Sequence, residues 1–189
     1  HFGSGNTGND RQTPFPMLRL VALMNVRSHV ILDAQLSPYR DSEMRLAETF
    51  LSQIPDNSIT LFDKGFWGAD LLLGVVGGGS NRHWLTPARK GLVMEEVERY
   101  GEHDRRVRMK VSPQARKRNP ELPTHWEVRE VSYESRGRVR SLLTSLPAKG
   151  YSTKAVAELY LERWEIELGI QKEVQYSEWS WSFSNTFIL

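Results

Sequence analysis

The run Tyr160-Leu161-Glu162-Arg163-Trp164-Glu165-Ile166-Glu167 constrains this chain more than any other stretch. Tyr160, Arg163 and Glu167 stand three and then four residues apart, a spacing that stacks their side chains on one face of a helix. Ser152 and Thr153 are candidate N-caps, and good helix formers continue from Ala155 to Leu168. Leu159, Ile166 and Ile170 supply core-type spacing on the same segment. A phenol, a guanidinium and a carboxylate are therefore expected on one side of an amphipathic helix. Two uses fit that arrangement. One is a surface charge pair, which contributes only about 0.2–0.5 kcal/mol and needs no function. The other is a catalytic carboxylate with an arginine poised over a phosphate. Spacing alone leaves both open.

A chain of 189 residues suffices for one domain, or for one domain with an inserted piece. It contains no cysteine, which excludes disulfide frameworks and thiolate zinc sites and fits a reducing compartment. The longest apolar runs, near Leu18–Val26 and Leu71–Val76, fall short of the ~20 residues a membrane helix needs, so no membrane partner is expected. The net charge of +2 says little by itself, because the charge is unevenly placed. The first residue is His1, so the chain is expected to begin inside a longer reading frame, or to have been processed or trimmed.

Residues 1–16 are rich in Gly, Asn, Thr and Pro and read as a flexible lead-in. Met17–Val26 and Ser28–Leu36 predict an antiparallel hairpin. Asp41 or Ser42 caps a helix expected to run to about Gln53. Ser58–Phe62 is a short strand that delivers Asp63 at its C-terminal end, and Ala69–Val76 is a helix closed by Gly77-Gly78-Gly79. In open α/β sheets, functional groups collect at the C-terminal ends of strands. Asp63 is thus a candidate metal ligand, with an N-cap as the structural alternative.

From Arg82 to about Leu146 short strand-like runs alternate with prolines and charges. Arg106, Arg108 and Lys110 share one strand face, Arg116-Lys117-Arg118 are expected in a loop, and Trp126 and Tyr133 are interleaved. Such a pattern suits a phosphate backbone with aromatic stacking, and equally suits a solvated face that keeps a domain soluble. Gln175–Leu189 has no helical period and reads as an atypical tail.

Two motifs carry a resemblance. Leu61-Phe62-Asp63-Lys64-Gly65-Phe66-Trp67 resembles the second-aspartate motif of the DDE transposases of bacterial insertion sequences. Tyr160-x2-Arg163-x3-Glu167 is similar to the tyrosine-arginine-glutamate signature of one branch, insertion-sequence family four. Arg82-His83-Trp84-Leu85 and Pro113–Pro120 share that character, and the likeness runs from about His1 to Gly169.

The resemblance implies an α/β RNase H-like core, a mixed sheet flanked by helices, with a β-rich insertion between the second Asp and the Glu. The expected divisions are 17–80 for the first part of the core, 81–150 for the basic insertion, 151–174 for the catalytic helix and 175–189 for the tail. Asp63 and Glu167 would be catalytic carboxylates at a two-metal site holding Mg2+ or Mn2+. Arg163 and Tyr160 would grip a DNA phosphate. Arg106, Arg108, Lys110, Arg116, Lys117, Arg118 and Trp126 would hold the transposon end. The implied partners are double-stranded DNA (terminal inverted repeats and target) and a second copy in a synaptic dimer. The implied location is the bacterial cytoplasm, with nucleoid association.

Two departures matter. The family's first catalytic aspartate lies on a core strand upstream of the hairpin, and this chain starts after that point. Asp33, on the second strand of the hairpin, is not assigned the role. Val174 stands where the signature has a lysine, and Lys172 is out of register. The reading is therefore a transposase fragment whose parent performs magnesium-dependent cleavage and strand transfer. The alternatives are a DNA-binding remnant without catalysis, or the product of a decayed element. A strand-transfer assay with the purified chain, magnesium and terminal repeats is expected to show little or no turnover. Robust turnover would require another first ligand, with Asp33 the foremost candidate.

Overall fold

The computed structural model describes residues 4–7, 11–16, 18–135, 137–163 and 187–188. Glu167, Lys172, Val174 and most of the tail lie outside the described residues.

The chain opens with β1 (Ser4–Thr7) and β2 (Arg11–Pro16), paired antiparallel. A flexible lead-in is expected there and a hairpin is found. The Gly8-Asn9-Asp10 signal that reads as loop is equally a hairpin-turn signal between two short runs. β3 (Leu18–Met24) and β4 (Ile31–Pro38) form the expected antiparallel hairpin, with a register shift between Leu23 and Met24. Val21, Ala22, Leu23 and Met24 are all buried, so β3 is covered on both faces. Its second edge pairs in parallel with β11 (Phe187–Ile188), at Ala22 and Leu23. That edge is thus engaged by two residues far along the chain.

Helix α1 covers Glu43–Glu48 only, although apolar spacing predicts it to Gln53. The Thr49 hydroxyl donates back to Leu46 O at 2.7 Å, and the following amides reach three residues back rather than four, as in Phe50 N to Ala47 O at 3.1 Å. The apolar stripe survives the tightening, because Phe50 and Ile54 remain buried.

The main sheet has six strands in the order β5-β6-β10-β9-β8-β7. β5 (Ser58–Leu61) and β6 (Arg82–Pro87) run parallel, joined by a crossover containing a 3₁₀ turn (Lys64–Phe66) and helix α2 (Ala69–Gly77). The antiparallel strands are β7 (Glu95–Gly101), β8 (Asp104–Lys110), β9 (His125–Ser135) and β10 (Arg138–Thr144). β6 also pairs with β10, so the sheet runs unbroken from β5 to β7 across the boundary expected at 80/81. Between β8 and β9, Pro113–Arg118 forms a short helix, α3, where a loop is expected. Ser112 Oγ accepts from Ala115 N at 3.1 Å, and Pro113 opens the helix where its missing N–H costs nothing.

Side-chain alternation divides the core between the two faces. Phe62, Trp84 and Leu143 point to one side, with Phe50, Leu72 and Val75 from α1 and α2. Leu61, Leu85 and Leu142 point to the other, under helix α4 (Thr153–Leu161), where Val156 and Tyr160 complete the layer. Trp67, Trp84 and Trp126 cluster on the first side, with ring centroids 5.3–6.4 Å apart. Trp84 is the most deeply buried of the three, 1% exposed. Trp84→Ala is expected to cost about 3–5 kcal/mol, read as a lower denaturant midpoint at unchanged slope.

Candidate active-site face

Asp63 stands two residues beyond the end of β5, where the strand leaves the core. Phe62 and Phe66 are buried on either side of it, with ring centroids 6.0 Å apart, and pin the turn to the sheet. Asp63 Oδ1 accepts from Gly65 N at 3.0 Å and so caps the 3₁₀ turn. The N-cap reading is thus realised, and the strand-end placement holds as well. The Asp63 carbonyl accepts from Phe66 N at 3.0 Å and from the Thr86 hydroxyl at 3.3 Å. Arg89, just beyond β6, donates to Lys64 O at 2.7 Å and Gly65 O at 2.8 Å. Thr86 and Arg89 hold the turn that presents Asp63, yet no spacing in the sequence marks them. Their roles arise only because β5 and β6 end side by side.

Helix α4 supplies the other half. Ser152 Oγ accepts from Ala155 N at 3.2 Å and caps its start. Tyr160 is 6% exposed and Arg163, beyond the last turn, 7%. Arg163 Nη1 lies 3.9 Å from Asp63 Oδ2, and its guanidinium carbon lies 5.6 Å from the Tyr160 ring centroid. Burial pushes the Tyr160 phenol up to about 12 and the Asp63 charge adds to the rise, while the Arg163 charge opposes it. Asp63 and the Tyr160–Arg163 pair, about a hundred positions apart in the chain, therefore meet. Glu167 lies outside the described residues.

The residues expected to hold DNA are placed differently from one another. Arg106, Arg108 and Lys110 share the outward face of β8, with Val107 and Met109 buried behind. That face is charge-compensated. Arg106 pairs with Glu98 at 2.9 Å and with Glu127 at 3.5 Å, and Arg108 pairs with Glu127 at 2.8 Å. Arg116, Lys117 and Arg118 lie on α3, and Arg118 is ion-paired to Asp70 of α2. Trp126 is a correction: it is 7% exposed and packed on Trp67 and Trp84, so no base can stack on it. Strand alternation places it on the face of β9 opposite Glu127. Tyr133 packs against the α4-side core.

A cleft of about 560 Å³ lies elsewhere, lined by Arg45, Glu48, Leu51, Asp70, Arg118 and Asn119. Burial raises the Glu48 carboxyl there and Asp70 adds to the rise, against the opposing charges of Arg118 and Arg45. None of Asp63, Tyr160 or Arg163 lines it. Among the described residues no helix is long and apolar enough to cross a membrane.

The transposase DDE domain family model matches residues 1–183. The chain belongs to this family. It is 38% identical over 159 residues to the transposase InsG for insertion sequence element IS4 of Escherichia coli K12, covering 84% of this chain and 36% of that protein. It is 54% identical over 98 residues to the putative transposase InsZ of the same organism, covering 52% of this chain and 33% of that one. The DDE chain thus spans about a third of the length of the curated relatives it matches. The resemblance to DDE transposases of the family-four branch is the relationship these matches support.

The buried phenol gives a pH test. Its folded value of about 12 lies above the ordinary value of 10.0, so the native state keeps a proton that the unfolded chain releases. That stabilisation is fully present below about pH 10 and is lost as pH rises toward 12. Tyr160→Phe is expected to flatten the fall of stability over that window, as measured by urea unfolding at stepped pH.

Proposed function

We propose that this chain carries the catalytic face of a DDE transposase that cleaves and transfers transposon DNA ends. One observation carries the reading: Asp63 stands at the end of a buried parallel strand, and α4 brings Tyr160 and Arg163 against it. A mixed sheet with helices on both faces and a parallel pair at one end supports an RNase H-like core.

Asp63 and Glu167 would hold a divalent cation, Mg2+ or Mn2+, for which carboxylate oxygens are the preferred donors. Asp63 fits that use as a single ligand. Its Oδ1 accepts from Gly65 N, and a cation at Oδ2 would have to displace the Arg163 guanidinium, 3.9 Å away, toward the phosphate that Arg163 is proposed to grip. Among the described residues no group of three or more His, Cys, Asp or Glu side chains could hold a metal, so further carboxylates must join it, Glu167 first. Bound divalent ions supply activation of the attacking oxygen and stabilisation of the leaving one.

The chain's own residues do the rest. Arg163 presents a fork suited to a phosphate. Tyr160, kept protonated by burial, donates a hydrogen bond to the same group. Thr86 and Arg89 keep Asp63 from drifting. Arg106, Arg108, Lys110, Arg116 and Lys117 extend phosphate contacts along terminal-repeat and target duplex, where a phosphate must compete with Glu98 and Glu127 on β8. A second copy completes a synaptic assembly.

Titration of the chain with Mn2+, followed by electron paramagnetic resonance, tests the metal role. Asp63→Asn and Glu167→Gln should each weaken binding roughly tenfold or more, the lower bound seen even for outer-shell partners. Unaltered binding in both overturns the assignment. Duplex binding should weaken steeply with salt, and Arg163→Ala should reduce the slope by about one phosphate contact.

A further inference from the structure

Arg129 is a charged residue in the middle of β9, yet only 5% exposed. All three of its guanidinium nitrogens donate. Nε and Nη2 fork onto Asp104 Oδ1 and Oδ2 at 2.8 and 2.5 Å. Nη1 donates to Pro147 O at 3.0 Å, and Nη2 donates also to Tyr151 O at 2.8 Å. Asp104 Oδ2 accepts in addition from the Thr153 hydroxyl at 3.4 Å. Pro147 and Tyr151 bracket the connection from β10 into α4, and Thr153 is the first residue of that helix. One buried ion pair therefore grips the segment at both ends and touches the helix itself.

We propose that the Arg129–Asp104 pair is a positioning latch for α4, which sets where Tyr160 and Arg163 stand relative to Asp63. Three observations lead there. First, the ion pair at the far end of α4, Arg27 with Glu162, is solvent-exposed and weak, and the rest of the helix is held through Val156, Ala157 and Tyr160 by apolar contact, which is non-directional. It holds the helix on the sheet without choosing its tilt. Second, a guanidinium fork fixes distance and angle together, which a point charge cannot. Third, the lever is long. Thr153 and Arg163 are separated by about 15 Å of helical rise, so a tilt of about 4° at the base moves the tip by about 1 Å. A preorganised site tolerates only ~0.5 Å.

The Asp63 side of the site is tied to the same sheet by Thr86 and Arg89 at the end of β6. Both β6 and β9 flank β10, so the two halves share one rigid reference. Arg129 touches no reacting atom. It acts through the helix, as a positioning residue. Its consequence for catalysis rests on the transposase reading, whereas its geometry does not.

The full chain has no cysteine, so exposed Lys90→Cys and Leu161→Cys would carry a unique pair of spin labels. Double electron–electron resonance in the parent should give one narrow distance distribution. Removing one partner alone strands a buried charge, so the informative variant is the double Asp104→Leu/Arg129→Met. It should melt cooperatively, yet shift or broaden the distribution by at least about 2 Å, the displacement of a tilt of about 10° over the ~12 Å of helical rise from Thr153 to Leu161. Arg129→Lys, which keeps the charge and loses the fork, should give an intermediate change. A distribution unmoved in both variants overturns the latch. This readout needs neither metal nor DNA. Failure of the parent chain itself to bind Mn2+ condemns the transposase reading, and an unmoved helix in both variants, with Mn2+ binding intact in the parent, condemns the latch.

Discussion

The parallel pairing of β5 with β6 is the constraint on which the rest of the structure depends. The register runs from Ser58 opposite Arg82 to Leu61 opposite Leu85, and Phe62 N continues it onto Leu85 O at 2.8 Å. Parallel neighbours require a crossover, and α2 supplies it while covering one face. Leu61 and Leu85 fill the opposite face, under α4. With both faces covered, functional chemistry can reach solvent only at the strand ends, and Asp63 is the first residue past that point with a charge to offer.

Arginine acts in this fold more as a connector than as free positive charge. Arg82 ties the segment between α1 and β5 to β6 through Leu51 O at 3.0 Å and Asp56 at 2.7 Å. Arg89 ties β6 to the Asp63 turn, and Arg129 ties β9 to the start of α4. Arg105 bridges Glu96 and Glu130. The planar fork explains the choice, since it satisfies two acceptors at once and keeps its charge when buried. With 25 Lys and Arg set against 23 Asp and Glu, much of the apparent basic character is absorbed in this way. Under the function proposed above, phosphate gripping would fall to a few sites, Arg163 above all, rather than to the whole basic strip.

Local elements were legible because local pattern sets them. The hairpin of β3 and β4, the short strand before Asp63 and the helix after it all follow from apolar runs broken by turn residues. Errors arose where one pattern serves two structures. Gly8-Asn9-Asp10 reads as loop or as hairpin turn, and only strand pairing decides. Arg116-Lys117-Arg118 read as loop until Ser112 and Pro113 are seen to start a helix. Trp126 looked like a stacking platform because basic runs precede and follow it in the chain, yet it stands opposite Met109, which lies between Arg108 and Lys110 on β8. On a strand, adjacent residues face opposite ways, so their exposure and its burial arise from the same fact.

The sequence by itself determined the family membership and the run of elements from the β3–β4 hairpin to α2, because motif spacing and periodicity are properties of the linear chain. Tertiary structure decided which side chains meet. It brought Asp63, Tyr160 and Arg163 together across a hundred positions, recruited Thr86 and Arg89 to hold the turn, and set Glu98 and Glu127 against the basic strand. Those neighbours depend on register, crossover and face. A single-residue shift in any of them would exchange inside for outside.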